Sequence, residues 1–226
     1  MIIETHNLSK IYDLDTVPVY ALNSVSLSVE KGEFTAIVGP SGSGKTTLLN
    51  MIGGLDSPSE GFVKIDGNDI SQMSENELIN FRLHNIGFVF QSYNLIPVLT
   101  AKENVEFTML LQNMPKNEME EYSMYLLKEV GLAEHLHKKP SELSGGQQQR
   151  VAVARALATK PAFILADEPT ANLDSVSTSQ LLDMMHKMNK DEEATFIFST
   201  HDQRVINRAE RVITLEDGRI VKDEKK

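Results

Sequence analysis

The run Gly39-Pro40-Ser41-Gly42-Ser43-Gly44-Lys45-Thr46-Thr47 has the spacing G-x-x-x-x-G-K-[ST] of a phosphate-binding loop. Each residue type has a physical reason to be there. Gly39, Gly42 and Gly44 have no Cβ, so the backbone can bend tightly and present successive N–H groups to phosphate oxygens. Lys45 adds a full positive charge that reaches the outer phosphates, and Thr46 offers a hydroxyl to Mg²⁺. The flanks fit. Phe34-Thr35-Ala36-Ile37-Val38 reads as a short buried strand entering the loop. Thr47-Leu48-Leu49-Asn50-Met51-Ile52 reads as a helix leaving it, with its positive dipole end toward the phosphates.

Two further runs carry chemistry. Phe163-Ile164-Leu165-Ala166 is a buried strand that ends in Asp167-Glu168. A doubly wound sheet places ligands at such strand ends. Asp167 is suited to organising Mg²⁺ through water, and Glu168, which points differently, to polarising an attacking water. Leu143-Ser144-Gly145-Gly146-Gln147 precedes a helical stretch and forms a second glycine-rich anion site at a helix start. One nucleotide needs one phosphate loop. The second site is therefore surplus within a single chain and has a use if it serves a nucleotide held by another copy.

The elements that must position these runs can be read in order. Residues 2–12 are extended. Residues 20–29 alternate Val25, Leu27 and Val29 with Ser24, Ser26 and Ser28, as a half-buried strand does. Residues 55–61 are a loop by their Pro and Gly. Strands are expected at 62–66 and 86–90, with a short helix at 75–83 between them. From about residue 92 to 160 the β pattern gives way to helical stretches at 101–111, 118–130 and 147–159. A helix at 177–189 and a strand at 195–199 follow. Asp217-Gly218 joins residues 212–215 and 219–221 as a hairpin, and the lysine-rich end, 222–226, is expected to fray. Met109, Met114, Met119 and Met124 are five apart, which holds no single helical face, so they read as core filler. His6, His84, His135, His137 and His186 show no metal-ligand spacing.

Composition narrows the class. The chain has 226 residues, is 41% hydrophobic and 24% charged, and can build a real core. No apolar run approaches the roughly 18 residues of a membrane span. The start, Met1 to His6, lacks the pattern of a signal peptide. The absence of cysteine excludes disulfides and fits a cytoplasmic address. A net charge of −10 counts against a nucleic-acid partner, because phosphate neutralisation dominates that affinity.

With these motifs in this order, the chain resembles the ATP-binding-cassette family, whose signature is LSGGQ, over essentially its whole length. The resemblance implies an α/β phosphate-loop NTPase fold with a mixed-sheet core, an N-terminal antiparallel β subdomain and a helical subdomain. Residues 1–226 would form one ATPase domain, with 1–91 and 160–226 as nucleotide-binding core and 92–159 as helical subdomain. It implies ATP and Mg²⁺ as cofactors. Residues 39–47 resemble the family's phosphate loop, and Asp167-Glu168 its acidic strand end with the catalytic glutamate. Gln91 resembles the glutamine that touches Mg²⁺ and senses the membrane partner. Asp174, in Ala171-Asn172-Leu173-Asp174, resembles the D-loop aspartate. His201 resembles the switch histidine on the γ-phosphate, and Tyr12 the aromatic that stacks on adenine. Ser144, Gly145, Gly146 and Gln147 would serve the nucleotide of a second copy in a head-to-tail homodimer.

Residues 86–97 and the short tail more narrowly resemble cassettes of lipoprotein release, macrolide-type efflux and cell-division signalling. That implies an integral membrane permease partner, a cytoplasmic position on the inner face of the membrane, and ATP hydrolysis that energises the permease. Soluble cassettes of repair or translation carry coiled-coil insertions or two cassettes, and neither is present. A phosphate-loop kinase or GTPase would leave residues 143–147 without a use, and the chain lacks a guanine-reading Asn-Lys-x-Asp.

Overall fold

The structure, a computed structural model, describes residues 1–14 and 17–226. Two sheets organise it. The first is antiparallel, in the order β2-β1-β4-β5: β1 (Ile3–Leu14), β2 (Val17–Val29), β4 (Glu60–Ile65) and β5 (Asn68–Asp69). The second has six strands in the order β10-β9-β3-β8-β7-β6. It comprises β3 (Phe34–Val38), β6 (Ile86–Val89), β7 (Phe163–Asp167), β8 (Thr195–Ser199), β9 (Arg211–Glu216) and β10 (Arg219–Lys225). Strands β9, β3, β8, β7 and β6 are mutually parallel, and β10 returns antiparallel on β9. The expected α/β class, mixed sheet and antiparallel subdomain are all present.

Strand periodicity explains why the large sheet is buried on both faces. Ile164, Ala166, Phe196 and Phe198 belong to one apolar cluster, while Phe163, Leu165 and Ile197 belong to another. Successive side chains point to opposite faces. The first cluster is completed by α3 (Ala101–Leu111), α4 (Lys116–Glu129), α5 (Gly145–Ala158) and α6 (Ser175–Glu192). The second is completed by α1 (Lys45–Ile52) and the antiparallel sheet. The remaining helices are α2 (Glu75–Asn85) and α7 (Gln203–Arg208). No helix among the described residues is long and apolar enough to cross a membrane.

Helix starts follow local chemistry. Thr100 caps α3, its Oγ1 accepting from Glu103 N, while Glu103 Oε2 accepts from Thr100 N at 2.7 Å. Helices α4, α5 and α6 each begin two residues before their expected first residue. The methionines divide: Met109 is buried, Met114 and Met119 pack against the core, and Met124 is 46% exposed, so core filling describes three of the four.

The expected fraying of the tail is wrong. Strand β10 runs to Lys225, which pairs with Arg211. The cause is an ion-pair network that spacing does not reveal. The Arg211 guanidinium, 8% exposed, donates to both Asp223 carboxylate oxygens (2.7 and 2.6 Å), to Glu33 Oε2 (3.0 Å) and to Ser28 O (2.7 Å). Hydrogen bonds from Arg211 hold the Asp223 carboxyl below its ordinary range. Burial pushes Glu33 up, but hydrogen bonds from Arg211 and Thr35 bring it below its ordinary value.

Arg211→Met should destabilise the fold by about 2–3 kcal/mol. That is below the roughly 3–5 kcal/mol for a wholly buried pair, because Asp223 is more than a third exposed. Both carboxyl pKa values are lowered by folding. The network's contribution is therefore complete above the unfolded carboxylate values near 4 and is lost as pH falls through the folded ones. Urea midpoints at pH 7 and pH 3 should differ less in Arg211→Met than in the parent; equal pH dependence would refute the assignment.

Candidate functional site

The phosphate loop leaves the C-terminal end of β3 and closes on α1. At Gly44, φ is +102° and a Cβ would lie 2.3 Å from Ala21 O, so only glycine fits. Lys45, only 8% exposed, folds back over the loop, its Nζ donating to Gly39 O (2.9 Å) and Pro40 O (3.0 Å). The Asp217-Gly218 turn also braces the loop, because Gly218 N donates to Ser43 O at 3.0 Å. Ser43 Oγ is buried and has no hydrogen-bond partner among the described residues.

Parallel pairing gathers the other chemical groups at the same sheet edge. Strands β7 and β8 are in register, Asp167 opposite Ser199, so the residues that follow them meet. His201 Nδ1 lies 2.8 Å from Glu168 Oε1. A carboxylate only accepts hydrogen bonds, which places a proton on Nδ1 and leaves Nε2 for the cleft. Glu168 has φ +46°, and this turn out of the strand sends its side chain to the same edge as Asp167. Thr46 Oγ1 donates to Asp167 Oδ1 at 3.2 Å, joining α1 to β7. Together these groups bound a cleft of about 610 Å³, lined by the phosphate loop, Gln91, Glu168, Ala171 and His201, with Val19, Tyr20 and Ala21 as its far wall. Its volume is that of a small-molecule site.

The residues fit a nucleotide triphosphate and a divalent cation. A glycine loop, the buried Lys45 and the start of α1 converge where phosphates would lie. Thr46 and Asp167 offer hard oxygen donors. No group of three or more His, Cys, Asp or Glu among the described residues could hold a metal alone. A cation here would need phosphate oxygens and water to complete its shell, as Mg²⁺ usually does.

Six other expected site residues lie outside the cleft lining, for local reasons. Ser144 and Gln147 do not line the cleft. They cap α5 reciprocally, Ser144 N donating to Gln147 Oε1 at 2.9 Å and Gln147 N to Ser144 Oγ at 3.3 Å. Gly145 and Gly146 are close to neighbouring side chains: a Cβ would come 2.9 Å from the Tyr93 hydroxyl and 2.9 Å from Ser177 respectively. Asp174 caps α6, accepting from Val176 N, Ser177 N and Ser177 Oγ. Those hydrogen bonds, Ser177's first, hold its carboxyl below the usual range. Tyr12 stands beside the cleft, its hydroxyl donating to Asp56 Oδ2 at 2.9 Å.

Sequence reasoning missed the supports of the Gln91 turn. Tyr93 and Asn94 are both left-handed, at φ +60° and +51°. Arg155 of α5 holds them, donating to Asn94 O (2.5 Å) and Tyr93 O (2.9 Å). Asn172 Nδ2 donates to Gln91 O at 3.0 Å. The turn thus touches the cleft, the start of α5 and the segment before α6 at once. Residues 147–159 hold two arginines, Arg150 and Arg155, and an arginine on a helix carries no pointer to its partner.

Comparison with known proteins agrees with this geometry. The ABC transporter family model matches residues 22–171. The lipoprotein-releasing system ATP-binding protein LolD of Aquifex aeolicus is 48% identical over 200 residues, covering 88% of this chain and 89% of that protein. The macrolide export ATP-binding/permease protein MacB of Hyphomonas neptunium is 46% identical over 222 residues, covering 98% of this chain but 34% of that longer protein. A dimeric ATP-binding cassette of Methanocaldococcus jannaschii, solved in a post-hydrolysis state with ADP and Pi, superposes with a TM-score of 0.91 at 43% identity, covering 99% of this chain and 98% of that one. Phosphate loop, acidic strand end, histidine and LSGGQ helix all stand in one fold with these relatives, and the chain belongs to the ABC transporter family as an ATP-binding cassette.

Proposed function

We propose that this chain binds MgATP, hydrolyses it as a head-to-tail homodimer, and so energises an integral membrane permease. One observation carries the reading. Lys45, Thr46, Glu168 and His201 line one cleft, with Asp167 tied to Thr46 behind it, while the second anion site, at Ser144 to Gln147, opens outside it. A second copy is needed to bring the two together.

The residues divide the work. The loop from Gly39 to Thr47 cradles the phosphates, and Lys45, held over the loop by Gly39 O and Pro40 O, presents its ammonium to them. Thr46, Asp167 and Gln91 would hold Mg²⁺ together with phosphate oxygens, and the ion would supply charge neutralisation for the triphosphate. Glu168 accepts a proton from the attacking water, and His201, fixed by Glu168 through Nδ1, holds the γ-phosphate and water in line when Nε2 also carries a proton to donate. Ser144, Gly145, Gly146 and Gln147 of the second copy, with the start of α5, stabilise the developing charge, and Asp174 lies along the same interface. Tyr12 stacks on adenine. Residues 1–91 and 160–226 act as the nucleotide-binding core and 92–159 as a helical subdomain.

The permease docks on an apolar groove of about 440 Å³, bounded by Leu83, Phe88, Phe90, Asn94, Ile96 and Phe107. Asn104, wholly buried behind it, fixes the Ile96 edge by holding both Ile96 N (2.8 Å) and Ile96 O (3.2 Å). The groove adjoins the Gln91 turn, so a partner seated there reaches the cleft. A chain docked in this way would sit on the cytoplasmic face of the membrane, and likeness to LolD and MacB favours lipoprotein release, efflux or mechanotransmission as the work done.

The chain has no native cysteine. Crosslinking from Asn94→Cys or Ser92→Cys in intact cells should therefore capture an integral membrane protein. Capture of soluble proteins or nucleic acid alone would favour a soluble ABC-type ATPase instead.

A further inference from the structure

We infer that Asp56 and Lys10 are positioning residues for the nucleotide base, acting through Tyr12. The inference rests on the reading that Tyr12 stacks on the base. Three contacts build the anchor. Asp56 Oδ2 accepts from the Tyr12 hydroxyl at 2.9 Å, and Asp56 Oδ1 accepts from Lys10 Nζ at 2.7 Å. Lys10 Nζ also donates to Ser57 O at 2.8 Å and stands 5.0 Å from the centroid of the Tyr12 ring. The ammonium is thus held by two oxygens while it covers one face of the ring. The Lys10 side chain is only 14% exposed, so this is a fixed cation and not a surface charge passing by.

Two consequences follow from where the anchor sits. Asp56 lies on the loop that leaves α1, and Thr47, in the first turn of α1, is a second polar neighbour of the phenol. The aromatic is therefore tied to the same helix that carries Lys45 and Thr46. The distance from the stacking ring to the phosphate site is set by α1, although Tyr12 belongs to another sheet. Second, with one face occupied by Lys10, the ring offers a single face to a flat partner. A base has one way to stack, and the ring does not have to be ordered when it binds. Stacking of this kind tolerates any base, so the anchor governs how tightly the base is held and not which base it is.

Calorimetric titration with MgATP and with inorganic tripolyphosphate, which has the phosphates but no base, separates the anchor from a general effect on the fold. Tyr12→Leu should weaken ATP about tenfold and leave tripolyphosphate unchanged. Asp56→Ala should weaken ATP about three- to tenfold, again with tripolyphosphate unchanged. Tyr12→Phe, which keeps the ring and loses only the anchored hydroxyl, should lose part of the same affinity. In the Tyr12→Leu background, Asp56→Ala should have no further effect. Equal losses for ATP and tripolyphosphate, or an Asp56→Ala loss that persists without Tyr12, would overturn the inference. So would a silent Asp56→Ala beside a weakened Tyr12→Leu. An unchanged ATP affinity in Tyr12→Leu would instead overturn the stacking reading itself.

Discussion

Glu168→Gln should bind MgATP, fail to hydrolyse it, and accumulate as a dimer. The substitution keeps the side chain's shape and its acceptor toward His201 Nδ1, which now lies 2.8 Å from Glu168 Oε1, but removes the negative charge and the basicity. General-base catalysis is typically worth about 10²–10⁴-fold, so turnover should fall by at least that range. The ATP-bound state should then persist, and if the second copy's Ser144 to Gln147 hold the γ-phosphate, that state carries two ATP molecules at its interface. ADP lacks the contacted phosphate and should not support it. Adding Ser144→Arg places a long side chain where the neighbour's nucleotide must fit. It also removes the hydroxyl that caps α5, so a thermal melt of the double variant should accompany the test. Light scattering should show a doubling of mass for Glu168→Gln with ATP, and none with ADP or in the double variant. A dimer that ignores nucleotide, or that survives Ser144→Arg, would sink the composite site.

Lys45→Ala should lower ATP affinity by about an order of magnitude or more and nearly abolish hydrolysis. A charge-assisted contact to phosphate is worth roughly 1.5–3 kcal/mol. The structure sharpens this expectation. The ammonium is already buried and held over the loop by Gly39 O and Pro40 O, so little ordering remains to be done on binding. Its removal takes away a preorganised charge and leaves two loop carbonyls without their cation, which makes the remaining loop more repulsive to anions. Equilibrium titration and single-turnover hydrolysis measure both effects. Retention of both binding and turnover would show that the loop does not hold the triphosphate.

The elements of this fold were legible wherever one local rule decided them. Val25, Leu27 and Val29 alternate with serines and are buried while the serines are exposed, because one face of β2 meets the core. The phosphate loop, the acidic strand end and the LSGGQ run were legible because their function depends on contiguous residues. What was not legible depends on pairs far apart in the chain. Arg155 reaches carbonyls 61 and 62 residues away, and Asp56 meets the Tyr12 hydroxyl across 44. Neither residue type nor spacing names such a partner. The tail was misread for the same reason: a run of charges looks solvated until Arg211, in the neighbouring strand, meets Asp223. The wall of the cleft contributed by Val19, Tyr20 and Ala21 was likewise invisible, since their strand begins at Val17 and not at Tyr20.

The left-handed backbone at Glu168 sets two kinds of selection against each other. A residue with a Cβ pays roughly 1–2 kcal/mol to adopt that conformation, and glycine adopts it freely. Judged by backbone energy alone, the position belongs to glycine or asparagine. Judged by turnover, it belongs to a carboxylate that can reach water and His201 at once. Drift toward stability at this one position would silence the enzyme while leaving its fold and its nucleotide cleft intact. On the hydrolysis proposed above, the glutamate is kept against this backbone cost, and a relative with glycine or asparagine there would be expected to bind nucleotide and hold it.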